Sequence, residues 1–240
     1  MERGIGLSSK ARPSRKGSPL RHFVQELDEL RKRLLAMSGL VEHGIYTSVQ
    51  SVVRRDRELA QQVLKNEARI NQMEIEIDDM AVSLLALQQP MAADLRLITS
   101  AIKINNDLER MGDLAVNIVE RGLSLMRDPE IRPLVDIPRM ASLAEDMVRK
   151  ALDAFVKKDS ELARGVLVSD DAVDGLRDAI YHELIRFMQS RPEAIPQAID
   201  ILFIARNLER IADHATNIAE DVLFLVQGVE VRHHTEARQA

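Results

Sequence analysis

Residues 102–123 read IKINNDLERMGDLAVNIVERGL, and residues 202–223 read LFIARNLERIADHATNIAEDVL. The second stretch repeats the first at an interval of 100 residues: over 98–123 and 198–223, ten of twenty-six positions are identical, five apolar and five polar. At about 100° per residue, Ile104, Leu108, Met111, Ala115, Ile118 and Gly122 form one stripe of a helix, with Glu109, Asp113 and Glu120 nearly opposite. The copy repeats this with Ile204, Leu208, Ile211, Ala215, Ile218 and Val222 against Glu209, Asp213 and Glu220. Each half therefore needs cover for an apolar stripe, and each is expected to carry an acidic face pointing outward.

The pattern extends upstream in both halves. Phe23, Leu27, Leu30, Leu34, Met37, Val41, Ile45, Val49 and Val52 alternate steps of three and four, which predicts one long amphipathic helix. Asp56 is placed to cap a second helix carrying Val63, Ile70, Met73, Ile77, Met80, Leu84 and Leu87, which Pro90 closes. A third helix runs from about Met91 to about Arg127, where Pro129, Pro133 and Pro138 break the pattern. The second half replays the order: Met140, Leu143, Met147, Ala151 and Phe155 on a fourth helix, and Val166, Val173, Leu176, Ile180, Leu184 and Phe187 on a fifth. Pro192 and Pro196 then interrupt before the repeated motif. The turn Arg55-Asp56-Arg57-Glu58-Leu59-Ala60 returns as Lys158-Asp159-Ser160-Glu161-Leu162-Ala163. Three amphipathic helices written twice predict an all-α fold of two tandem three-helix bundles related by an internal repeat. The expected division is a flexible basic tail over 1–20, a first bundle over 21–128, a second over 138–227 and a polar tail over 228–240.

Composition narrows the chemistry. The 240 residues are 45% hydrophobic but 3% aromatic, without Trp, as expected of a helical protein. The absence of cysteine removes disulfides, thiolate metal sites and cysteine nucleophiles, and fits a reducing compartment. Apolar runs such as 201–205 fall far short of the roughly 20 residues that cross a bilayer, so no membrane span is expected. Arg3, Lys10, Arg12, Arg15, Lys16 and Arg21 oppose Glu2 in a segment with no apolar core for a signal sequence. With a net charge of −5 overall and +5 in that segment, the remainder carries −10, which argues against a nucleic-acid partner. The six histidines form no H-E-x-x-H, no glycine-rich phosphate loop is present, and neither motif helix supplies the Glu-x-x-His of di-iron oxidases. An enzyme is not expected.

The acidic faces pose the functional question. Carboxylates at i and i+4 repel by about 0.2–0.5 kcal/mol when uncompensated, so Glu109/Asp113 and Glu209/Asp213 call for a cation. Glu74/Asp78 and Asp174/Asp178 have the same spacing on the second helix of each half, although the flanking apolar residues there match better at an offset of 103 than of 100. In a three-helix bundle such a pair is expected to approach the pair on the third helix. An all-carboxylate site suits hard cations such as Mg²⁺, Mn²⁺, Ca²⁺ or iron. The competing reading is local neutralisation, since Arg110 lies three residues from Asp113 and Arg210 three from Asp213. His214 is read as structural.

The segment Asn207-Leu208-Glu209-Arg210-Ile211-Ala212-Asp213-His214-Ala215-Thr216-Asn217-Ile218-Ala219-Glu220 resembles the hallmark of the PhoU family. Gln89-Pro90-Met91-Ala92-Ala93-Asp94-Leu95-Arg96 is similar to its Q-P-x-A-x-D-L-R turn, and Asp107-Leu108-Glu109-Arg110-Met111-Gly112-Asp113 to its first acidic motif. The likeness runs from about Arg21 to about Val226. It implies a cytoplasmic, often homodimeric, non-catalytic regulator of phosphate transport. Such a regulator would bind the ATPase subunit of the phosphate ABC transporter and a sensor histidine kinase, repressing phosphate-starvation genes and uptake. It further implies metal ions, iron, Mn or Mg, on Glu109, Asp113, Glu209 and Asp213. Two other readings fit the same residues: a metal-binding structural or storage protein, and a paralogue of this family serving a different transporter. Ala212 departs from the family's usual glycine, and Asn207 stands where the first copy has Asp107, which predicts unequal sites.

Overall fold

The copied turn organises each half. Arg55 and Lys158 take left-handed backbone (φ 51° and 53°), and the aspartate after each accepts two amide hydrogen bonds from the helix that follows. Asp56 caps through Glu58 and Leu59 at 2.8 and 3.2 Å; Asp159 caps through Glu161 and Leu162, both at 3.0 Å. A side-chain oxygen there satisfies amides that have no partner within the helix.

The computed structural model describes residues 19–129 and 136–228, which contain no strand. Six α-helices fill them: α1 (Pro19–Arg54), α2 (Arg57–Gln88), α3 (Ala92–Leu125), α4 (Ile137–Lys157), α5 (Ser160–Ser190) and α6 (Ile195–Gln227), with a 3-10 turn at Pro192–Ala194 leading into α6. The expected basic tail before Pro19 and the polar tail after Gly228 lie outside the described residues. No described helix is long and apolar enough to cross a membrane.

α1, α2 and α3 pack on one another, as do α4, α5 and α6, giving the two three-helix bundles. The stripes predicted for α1, α3 and α6 are buried, Val52 partly so. On α2 the expectation fails at its end: Leu87 is 78% exposed, because it lies in the last turn before Gln89 and Pro90 stop the helix. The broadest interface in the molecule lies between the bundles, α3 against α6, with α1 against α4 beside it. The motif helices therefore bury more than one stripe. Leu114 and Val119 on α3, and Ala212, Ala219 and Leu223 on α6, are covered as well. Asp107 meets His214, Lys103 meets Asp221 and Arg121 meets Asp200, so α3 and α6 run antiparallel about a pseudo-twofold axis.

Close approach is bought by small residues on the motif helices. A Cβ on Gly112 would lie 3.3 Å from Ile70, and one on Gly122 would lie 2.7 Å from Cγ2 of Val52. In the second half Ala212 occupies the place of Gly112, and the repeat partner of Ile70 is the smaller Val173, also buried. The departure from the family's glycine is thus matched by a trimmed neighbour.

Candidate metal-binding faces

Glu109 and Asp113 lie on the flank of α3 beside α2, not on a ridge facing water. The antiparallel course of α2 brings Glu74 and Asp78 alongside: Asn105 of α3 donates from Nδ2 to the Glu74 carbonyl at 2.9 Å and to Asp78 Oδ1 at 3.0 Å. Asn105 is fully buried and its Oδ1 has no partner. The Glu109 side chain is 24% exposed. Burial pushes its carboxyl above the usual range, with the charges of Asp113 and Glu74 adding to the rise and Arg110 and His214 opposing it. Arg110 reaches Glu109 at 3.6 Å with most of its length in solvent, a contact of little energetic weight. The outward face expected from the helical wheel is therefore half-buried at Glu109 and Asp113 and exposed only at Glu120. A wheel places residues around a single helix but does not say where the neighbouring helix lies.

The second face is built differently. The buried positions of α2 and α5 correspond at an offset of 103: Ala60 with Ala163, Val63 with Val166, Ile70 with Val173, Ile77 with Ile180 and Leu84 with Phe187. On that register Glu74 corresponds to Arg177, and Asp78 to Tyr181. Asp174 and Asp178 are thus not the repeat equivalents of Glu74 and Asp78. Arg177 Nη1 donates to Glu209 at 2.7 Å and lies 3.1 Å from Asp174, while Nη2 donates to Asp178 at 3.0 Å. Burial alone would lower its pKa; the hydrogen bonds to Asp178 and Glu209 and the charges of both aspartates raise it instead. Asp213 keeps open surface, yet crowding by the surrounding helices, Glu209 and Asp174 lifts its carboxyl above the usual range, against His214 and Arg177.

Of the eight candidate ligands, Glu109 is joined by Asp113 and Glu74, and Asp213 by Glu209 and Asp174, while Asp78 is placed by its hydrogen bond from Asn105 and Asp178 by Arg177. Among the described residues, no group of three or more His, Asp and Glu side chains is arranged to hold a metal ion. Local neutralisation does occur: the expected Arg110 reaches Glu109 in place of Asp113, and the second face is held by Arg177, which was not expected. Sequence reasoning passed over Arg177, although the offset of 103 in the flanking apolar residues was the signal that would have placed it opposite Glu209.

Between the two faces, His214 Nδ1 lies 2.8 Å from Asp107 Oδ1, and Asn217 Nδ2 donates to the same oxygen at 3.3 Å. These three, with Lys103, Asn106, Arg110 and Glu220, line a groove of about 570 Å³ over the α3–α6 seam. His214 thus bonds across the seam from α6 to α3. Beside Arg177, a second groove of about 380 Å³ is lined by Tyr181, Ile199, Leu202 and Phe203, where the first half has Asp78, Thr99, Ile102 and Lys103.

The model of the PhoU domain matches residues 34–122 and again 137–222, one match to each bundle. A relative from Pseudomonas aeruginosa, named phosphate-specific transport system accessory protein PhoU homolog, is 43% identical over 212 residues, covering 88% of each chain. One of the same name from Caulobacter vibrioides is 39% identical over 213 residues, covering 88% of this chain and 93% of its own. Among solved structures, PhoU from Pseudomonas aeruginosa superposes with a TM-score of 0.84 at 43% identity, covering 86% of this chain and all of its own. The phosphate transport system regulatory protein PhoU from Streptococcus pneumoniae gives 0.81 at 30% identity, covering 87% and 99%. The two matches fall on the two repeats, and the chain belongs to the PhoU family.

Proposed function

We propose that this protein is a cytoplasmic regulatory adaptor of phosphate homeostasis. It acts without catalysis of its own, as a homodimer that couples the ATPase subunit of the phosphate ABC transporter to a sensor histidine kinase, repressing the starvation response and restraining uptake when phosphate is plentiful. The observation that carries the reading is the family match to both repeats, at 43% identity to a phosphate-transport accessory protein over nearly the whole chain. The test is deletion of the gene and measurement of alkaline phosphatase in excess phosphate. Constitutive expression, reversed by the native gene, is expected; unaltered repression would contradict the role.

The same reading assigns a hard cation to the first acidic face. The donor set fits: Glu74, Asp78, Glu109 and Asp113 supply carboxylate oxygen alone, and the mutual repulsion felt by Glu109 is what a bound cation would relieve. An ion there would neutralise charge and tie α2 to α3, so its contribution is structural. No three of these side chains converge, so binding requires them to rotate together. Metal analysis of protein purified without chelator tests this, with Glu109→Gln/Asp113→Asn expected to lose the ion; unchanged content would end the assignment and leave the adaptor role standing.

A further inference from the structure

The second acidic face already holds a cation. Arg177 contacts Asp174, Asp178 and Glu209, three of the four carboxylates that would bind an ion there, and its charge acts on the fourth, Asp213. A guanidinium is planar and permanently charged, and it fills carboxylate lone pairs through several directed N–H donors. A metal entering this face would have to break those contacts and then share the site with a positive charge that deprotonation cannot remove. The first half offers no such obstacle: on the register of the packed helices, the residue matching Arg177 is Glu74, itself one of the carboxylates.

We infer that Arg177 is the resident cation of the second face and closes it to metal, so that the two halves of this chain divide the acidic motif between a metal-binding face and a self-neutralised one. This rests on the metal assignment made above for the first face and goes beyond it, because identical Glu-x-x-x-Asp motifs at 109–113 and 209–213 would by themselves predict two equivalent sites. Arg177 is also a wall of the groove lined by Tyr181 and Phe203, so the side chain that satisfies the acidic face also shapes the apolar surface beside it.

The experiment is Mn²⁺ binding to the full chain by equilibrium dialysis, read by metal content and by the electron paramagnetic resonance spectrum. Native protein is expected to bind Mn²⁺ that Glu109→Gln/Asp113→Asn removes and Glu209→Gln/Asp213→Asn leaves in place. Arg177→Gln is expected to gain Mn²⁺ about equal to the native amount, with a second spectral component that Glu209→Gln abolishes; Arg177→Lys, which keeps the charge, should stay close to the native level. Loss of native Mn²⁺ in the Glu209→Gln/Asp213→Asn variant would overturn the inference, and so would an Arg177→Gln protein that folds and gains nothing. The metal assignment of the first face fails separately: a native chain free of Mn²⁺ with an Arg177→Gln chain that binds it would sink that assignment while upholding the role of Arg177. The Glu209→Gln/Asp213→Asn arm decides the matter even if Arg177→Gln does not fold.

Discussion

At position 74 the first half sets a glutamate against Glu109; at the matching position 177 the second half sets an arginine against Glu209. Leu108 and Leu208, the residues just before those glutamates, are alike in identity and in complete burial. The two halves have kept the packing that makes them bundles and parted in the chemistry on their flanks. A repeat shows which positions the fold requires twice. The departures between copies show where one duty has been divided.

The largest effect expected is a control on that comparison. Leu108→Ala and Leu208→Ala should each cost about 2–5 kcal/mol in denaturant unfolding, because each empties a fully packed site; a large inequality would break the claim that the cores are equivalent. Next comes Gly122→Ala, expected to cost about 1–3 kcal/mol, since the added methyl meets the stiff, β-branched Val52 at 2.7 Å. Val222, in the matching place of the second half, carries a full side chain without such a limit, and Val222→Ala should leave a small cavity in place of a clash.

Smaller effects separate the arginines. Removing Arg177 as Arg177→Met strips three carboxylates of a partly buried partner and should cost about 1 kcal/mol after allowance for solvent screening, whereas Arg110→Met should stay within about 0.5 kcal/mol. Thermal melts in low and high salt check both: the difference should shrink as salt rises. Equal costs would mean that the two faces are neutralised alike.

The smallest effect concerns a place where the halves agree. Glu42 and Glu145 are repeat partners at an offset of 103 and line one groove between α1 and α4. Burial raises both carboxyls above 4.5, while Arg149 opposes the rise and Asp153 adds to it at Glu42. A raised carboxyl binds its proton more tightly folded than unfolded, so its stabilising share is complete below 4.5 and is lost as pH climbs through the raised folded value. Glu42→Gln/Glu145→Gln should therefore melt higher than native protein above that window and match it below; melting curves across pH give the comparison.

Most of the fold was legible because a buried stripe writes itself into sequence at period 3.6, and because Asp56 and Asp159 are signals that act through the nearest backbone. The acidic positions were legible too, since the repeat set them apart from the core. Their surroundings were not. Whether Glu109 faces water depends on how α2 is rotated against α3, which neither helix specifies alone. Asn105 reads as one more polar residue until Glu74 and Asp78 are seen beside it. The role of Arg177 was hidden by an offset of 100 carried from α3 and α6 onto α2 and α5, whose turns and cores follow 103.

Crystals grown with Mn²⁺ and measured on both sides of the manganese absorption edge place the ion directly. An anomalous peak is expected among Glu74, Asp78, Glu109 and Asp113, with Arg177 still seated on Glu209 and no peak beside it. Equal peaks at the two motifs, or a single one at Glu209 and Asp213 with the arginine swung aside, would contradict the division between the two faces.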